Sequence, residues 1–159
     1  MLAGISIVSG VFAYQSIVVP AKVAVVQEVN GERRGTLTGA TETDLFADLK
    51  QDQGRAVLQL ANRPDVTDDA LKLLAGFPEL RELDLNDTPI TDAGLEFLAT
   101  LPKLDSLRIA RTKVTPDGVA KHVLGSQRLK AIDVTGLGVP GKALREWKAA
   151  DPMSRKYVN

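Results

Sequence analysis

Apolar residues recur along this chain in a fixed phrase. The order L-x-x-L-x-L appears at Leu80, Leu83 and Leu85, then at Leu104, Leu107 and Ile109, then at Leu129, Ile132 and Val134. An earlier half-copy supplies Leu58 and Leu60. The second apolar position falls at 58, 83, 107 and 132, a spacing of 25, 24 and 25 residues. A branched residue and a second fixed position follow each phrase: Val66-Thr67, Ile90-Thr91, Val114-Thr115 and, in altered form, Val139-Pro140. An apolar pair comes next, Ala70-Leu71, Gly94-Leu95, Gly118-Val119 and Ala143-Leu144. Self-similarity at a fixed period of this size is the signature of stacked structural units.

Each copy reads as a strand, a turn and a helix. Leu83-x-Leu85 alternates with period two, which places both leucines on one side of a short strand. The Thr91 hydroxyl is suited to cap a helix by accepting from an amide two or three residues on. Thr115-Pro116-Asp117 is a stronger start. Proline at the first helical position sacrifices no needed donor, and an acid there faces the positive end of the helix. Leu95, Leu98 and Leu101 follow at helical spacing, and Pro102 predicts the end of that element. A unit of about 24 residues cannot bury its apolar side alone, whereas stacked neighbours can.

The block LRELDLNDTPITDAGLEFLATLPK resembles a leucine-rich repeat of the ribonuclease-inhibitor-like, cysteine-containing type, in the bacterial variety with an ITDxGL phrase. The position that holds cysteine or asparagine in that type holds Thr88 and Thr112 here. The resemblance runs from about Ala56 to Trp147. In the fourth copy, TGLGVPGKALREWK, Leu137 stands where threonine is expected and Pro140-Gly141 where Thr-Asp is expected, as in a terminal capping repeat. The resemblance implies an α/β fold: a right-handed solenoid of about four repeats with a short parallel sheet on its concave side. It also implies binding in place of chemistry.

Composition narrows the partners. The chain of 159 residues has 20 basic and 20 acidic side chains, so no net field draws it to nucleic acid or to anionic lipid. Aromatic residues make up 4%, too few for a base-stacking platform. There is no cysteine, hence no disulfide and no thiolate chemistry.

The pattern changes at the front. Leu2 to Val19 carries no charge, and this uncharged run, assigned with its flanks to a segment 1–22, has the length at which a helix begins to span a bilayer. It reads as a signal anchor or transmembrane helix, as a cleaved signal peptide ending near Val19-Pro20-Ala21, or as a buried element diluted by Ser6, Ser9, Gln15 and Ser16. The first two readings make the protein membrane-anchored or exported, on a side the flanking charges do not specify. Residues 23–40 read as a linker in which Asn30-Gly31 suggests a hairpin. Residues 41–55 read as a capping helix: Thr41 with Asp44 forms its start, Leu45, Phe46 and Leu49 its apolar stripe, and Gly54 its end. Residues 56–159 hold the repeats and a C-terminal cap, with Arg155 to Val158 as a further strand covering the sheet edge.

Candidate chemistry is sparse. The single histidine, His122, occupies a helix position that is apolar in the other copies and has no cysteine or second histidine to join it in a metal site. Asp65, Asp68 and Asp69 invite a calcium reading, but Thr67, Asp68 and Asp69 align with the helix starts of the other copies, where acids suit the helix dipole. No glycine-rich phosphate loop and no serine-elbow motif occurs. The expectation is a protein without catalytic residues, metal or cofactor.

A partner would meet the residues between and beside the strand leucines. Those are Gln59, then Glu82, Asp84 and Asn86, then Ser106 and Arg108, then Asp133 and Thr135, flanked by Val57, Ala61, Ala110 and Ala131. In a parallel sheet Gln59, Asp84, Arg108 and Asp133 form one row, which is either a self-satisfied charge ladder or a recognition strip. Four short strands about 4.8 Å apart present on the order of 200 Å². A standard interface takes about 800 Å² per partner. Loops 86–89 and 111–113 or the helices must therefore contribute. The function expected is a protein–protein interaction module with an unidentified protein partner, no nucleic acid, and membrane contact through residues 2–19. The alternative is a structural solenoid that self-assembles or packs within a larger membrane complex.

Overall fold

A computed structural model of the chain describes residues 23–29, 32–38 and 56–159, the first two stretches as backbone strands. The hydrophobic segment at 1–22 and the capping helix expected at 41–55 lie outside the described residues. The elements are β1 (Val23–Val29), β2 (Glu32–Thr38), β3 (Val57–Gln59), α1 (Asp68–Leu71), β4 (Glu82–Asp84), α2 (Asp92–Leu98), β5 (Ser106–Arg108), α3 (Pro116–Gly118), β6 (Ala131–Asp133), α4 (Gly141–Ala149) and β7 (Lys156–Val158). A 3-10 turn, Lys72–Gly76, continues α1, and a π-helical stretch, Val119–Leu124, continues α3.

The strands form one open sheet in chain order, β1 to β7. β1 and β2 pair antiparallel on either side of Asn30-Gly31, with Val29 opposite Glu32. The segment 23–40, read in the sequence as a linker with a possible hairpin, thus contributes two paired strands, 23–29 and 32–38, to the same sheet. From β2 onward every pairing is parallel. The architecture is α/β, and its repeated strand–turn–helix units are compatible with a solenoid.

Register follows the leucine phrase. Leu58, Leu83, Leu107, Ile132 and Tyr157 stand side by side across five parallel strands. The first four are buried, as are Leu60, Leu85, Ile109 and Val134 two residues on. Leu71, Leu95, Val119 and Leu144 from the helices close the same continuous core, with Phe77 and Trp147 toward its two ends. Full burial of one such side chain stabilises by roughly 1.5–3 kcal/mol, so these columns dominate cohesion.

Sheet-like bonding continues past each strand. Leu60, Leu85, Ile109 and Val134 donate to Asp84, Arg108, Asp133 and Val158 at 2.8 to 3.0 Å. The chain then turns through left-handed residues at Asn62, Asp87, Arg111 and Gly136, repeating the period. Asparagine, aspartate and glycine are the residues that accept this conformation most readily, and arginine is the outlier.

The helix starts explain the Thr-Asp-x-Gly phrase. Asp68 accepts from the amide (2.8 Å) and hydroxyl (2.6 Å) of Thr91 in the next copy. Asp92 does the same for Thr115, at 2.8 and 2.6 Å. Both threonines also cap their own helices, Thr91 accepting from Ala93 and Thr115 from Gly118. The aspartate occupies the space a side chain would need in the following copy. A Cβ on Gly94 would lie 2.5 Å from the Asp68 Oδ1, and one on Gly118 2.0 Å from the Asp92 Oδ1. The fourth copy has Ala143 at the glycine position, and the third has Pro116 where the earlier copies have the aspartate. Pro140, without an amide hydrogen or hydroxyl, ends the series.

Two sequence expectations shift. Leu101, placed at helical spacing, is buried but lies beyond α2, which ends at Leu98. The third copy has one more residue than the second between its glycine and its next phrase (Gly118 to Leu129 against Gly94 to Leu104). The π-helical winding at Val119–Leu124 takes up that residue, so Val119 and Val123 remain buried. A single wide turn is the usual way for a helix to absorb one insertion.

Candidate functional site

The sheet face opposite the helices carries the polar row. Gln59, Asp84, Arg108 and Asp133 are consecutive register partners on β3, β4, β5 and β6. The adjacent row is Val57, Glu82, Ser106, Ala131 and Lys156. Gln59 and Arg108 are exposed, while Glu82, Asp84, Asn86, Ser106, Asp133 and Thr135 are half-buried. Val57 and Ala110, expected on this face, are instead buried, each at 3% exposure or less. Val57 is flanked by paired strands on both sides, and the Ala110 amide is covered by the Asn86 Oδ1, which accepts from it at 2.7 Å.

The charges on this face are unevenly satisfied. Asp84 Oδ1 accepts from the Asn86 amide at 3.0 Å, and its Oδ2 receives one bond from Arg108 at 3.4 Å. Asp133 turns to Thr135, with Oδ1 accepting from the amide at 3.1 Å and the hydroxyl at 2.7 Å. Arg108 is therefore paired on one side only: its described ion pair is to Asp84, not to Asp133. Its side chain is 52% exposed.

A tighter pair lies at the rim. Arg111 donates to both oxygens of Asp87, Nε to Oδ1 at 2.8 Å and Nη2 to Oδ2 at 2.5 Å. These hydrogen bonds hold the Asp87 carboxyl below its usual range and raise the Arg111 guanidinium. The pair joins the left-handed positions of two successive copies. Beside it on the sheet, an open hollow of about 360 Å³ is bounded by Asn86, Ser106, Arg108, Asp133 and the β7 residues Lys156 to Val158. Ser106 and Ala131 form its floor, because neither carries a side chain long enough to fill it.

The strand expected at Arg155 to Val158 is present as β7 (Lys156–Val158), but its register and its part in the hollow were not evident in the sequence. Lys156-Tyr157-Val158 takes the place of an L-x-L phrase without containing a leucine, so only the spacing from Ile132 could have placed Lys156 beside Ala131.

The other candidate clusters are occupied by structural bonds. Asp65 is held by Arg63 through Nε at 3.0 Å and through Nη2. Asp68 caps the Thr91 turn, and Asp69 pairs with Lys72. His122 lies half-buried on the π-helical stretch, its Nε2 4.0 Å from Glu96. Among the described residues no group of three or more metal-ligating side chains converges. No helix among them is long and apolar enough to cross a membrane, and residues 2–19 are outside that set.

Compared with protein-family models and with curated proteins, the chain matches none.

Proposed function

We propose that this chain is a non-catalytic protein–protein interaction module of the leucine-rich-repeat kind. Its recognition surface is the sheet face between the strand leucines and the loops at its rim. The parallel crossovers suit a right-handed solenoid, since such connections in one sheet are right-handed in nearly all known cases. Residues 2–19 tether the module to a membrane or direct its export.

One observation carries the reading. Arg108, in the middle of the polar row, has a single long hydrogen bond and an exposed guanidinium beside an open hollow. A ladder built for stability alone would close its charges on each other, as Asp87 and Arg111 do. The exposed strand face is smaller than a standard interface, so the Asn86–Pro89 and Arg111–Lys113 loops belong to the contact.

The test is affinity capture with the full chain, compared between the unaltered protein and the paired changes Arg108→Ala and Ser106→Trp. The reading expects a discrete set of retained proteins that both changes remove, while Ala120→Trp on the helix side removes none. Capture of the chain's own copies alone would favour a self-assembling structural element. Loss through Ala120→Trp but not through the sheet-face changes would place recognition on the helices.

A further inference from the structure

We propose that the hollow between Arg108 and Lys156 seats a carboxylate side chain from an acidic, extended segment of a partner protein. The proposal rests on the sheet face being the recognition surface and names the chemistry that surface selects.

The two cations bordering the hollow have unused donors. A guanidinium offers five N–H groups, and Arg108 commits one of them, at 3.4 Å. Lys156 is exposed at the start of β7 and forms no ion pair or side-chain hydrogen bond among the described residues. The acids are differently placed. Asp84 accepts from Asn86 and from Arg108, and Asp133 has its Oδ1 held by two donors of Thr135. The charged groups lining the hollow itself are Arg108, Asp133 and Lys156, whereas Glu82, the register partner of Ser106, and Asp84 lie next to it on the β4 side.

Position agrees with charge. Ser106 and Ala131 lie next to each other in one row, with Lys156 continuing that row and Arg108 two residues along β5. β5 and β7 are two strand spacings apart, roughly 10 Å. An incoming carboxylate over Ser106 and Ala131 is thus reached by both long cationic side chains. It stays one row away from Asp133 and Asp84, and a seat nearer Ala131 than Ser106 keeps it two strands from Glu82 in the same row. Arginine binds a carboxylate with two parallel hydrogen bonds, a geometry that lysine supplements as a mobile point charge. An extended segment suits the site because the floor runs across the strands as an open trough.

The experiment is an amide NMR titration of the full chain with three capped peptides: hexaglutamate, hexaglutamine and hexalysine. Hexaglutamate is expected to shift Ser106, Arg108, Ala131 and Lys156 saturably, and hexaglutamine to shift none. Joint replacement Arg108→Gln and Lys156→Gln should weaken binding by about tenfold, as befits two charge-assisted contacts in a solvated site. Raising salt from about 0.01 M to 0.15 M shortens the screening length from about 30 to 8 Å and should weaken it further. The proposal is overturned if hexalysine binds the hollow as well as hexaglutamate does. It is also overturned if the shifts spread equally to Lys121, Lys142 and Lys148 on the helix side, or if nothing saturates. Should the peptide arm fail while partner capture still depends on the sheet face, only the carboxylate assignment falls. If capture ignores that face, the underlying reading falls with it.

Discussion

The carboxylate of Asp92 grips Thr115 of the next copy by both its amide and its hydroxyl, at 2.8 and 2.6 Å. The same carboxylate fills the space above Gly118, where a Cβ would meet its Oδ1 at 2.0 Å. Gly118→Ala should therefore destabilise by about 1–3 kcal/mol through overpacking, although alanine is the better helix former. Asp92→Ala should cost about 1–2 kcal/mol for the lost charged hydrogen bonds. Combined, the two changes should cost less than their sum by at least about 0.5 kcal/mol, since removing the carboxylate makes room for the methyl group. A double-mutant cycle in urea measures this. Additivity would mean that aspartate and glycine are independent features of the repeat.

The extra residue of the third copy is wound into the π-helical stretch Val119–Leu124. Deleting the exposed Ala120 should restore an ordinary α-helical turn without moving Val119 or Val123 from the core. The expected change in stability is within about 1 kcal/mol, as for a surface substitution. Deleting Glu96 from the regular helix α2 should cost more than about 2 kcal/mol by rotating Phe97 and Leu98 out of phase. Equal losses for the two deletions in chemical denaturation would refute this account.

The repeats were legible because period is a long-range property: four copies at spacings of 24 and 25 residues place Leu83, Leu107 and Ile132 side by side whatever the intervening loops do. The threonine caps were legible for the same reason. Three features were not. Arg155 to Val158 was legible as an edge strand, but it has none of the leucines that fix register in the other copies, so Lys156 as the far wall of the hollow was not. Burial of Val57 and Ala110 depends on neighbours contributed by other strands and by Asn86, which alternation along one strand does not report. The turn of Asp133 toward Thr135 reflects a local choice between two donors and a cation, decided by proximity of two residues. As for the fold, the sheet strands at 23–29 and 32–38 were hinted at only by Asn30-Gly31.

Leu107 sits at the centre of the buried column and is 1% exposed. Leu107→Ala should destabilise by about 2–5 kcal/mol, the cost of lost burial and a residual cavity. Urea denaturation reads this directly. A loss under about 1 kcal/mol would contradict the packing of the column.

Acid should selectively weaken the loop after β3. Hydrogen bonds from Arg63 hold the Asp65 carboxyl below its ordinary value, against a smaller opposing effect of burial. A carboxyl with a depressed folded-state pKa stabilises fully above its unfolded value, near pH 4, and that stability is lost as pH falls toward the folded value. The stability gap between the unaltered protein and Asp65→Asn should be present at pH 7 and shrink by pH 3. Denaturation midpoints at the two pH values check it. A gap that does not change with pH would show that Asp65 acts through packing.

The most direct measurement is site-specific photocrosslinking of the full chain in cells. A crosslinking side chain at Ser106, on the sheet face, is expected to give a discrete product with a second protein, and Arg108→Ala should abolish it. That same Arg108→Ala change should alter the unfolding midpoint by no more than an exposed ion pair is worth, about 0–1 kcal/mol. A probe at Ala120, on the helix side, should give no such product. A product from Ala120 that survives Arg108→Ala, with none from Ser106, would contradict recognition by the sheet face.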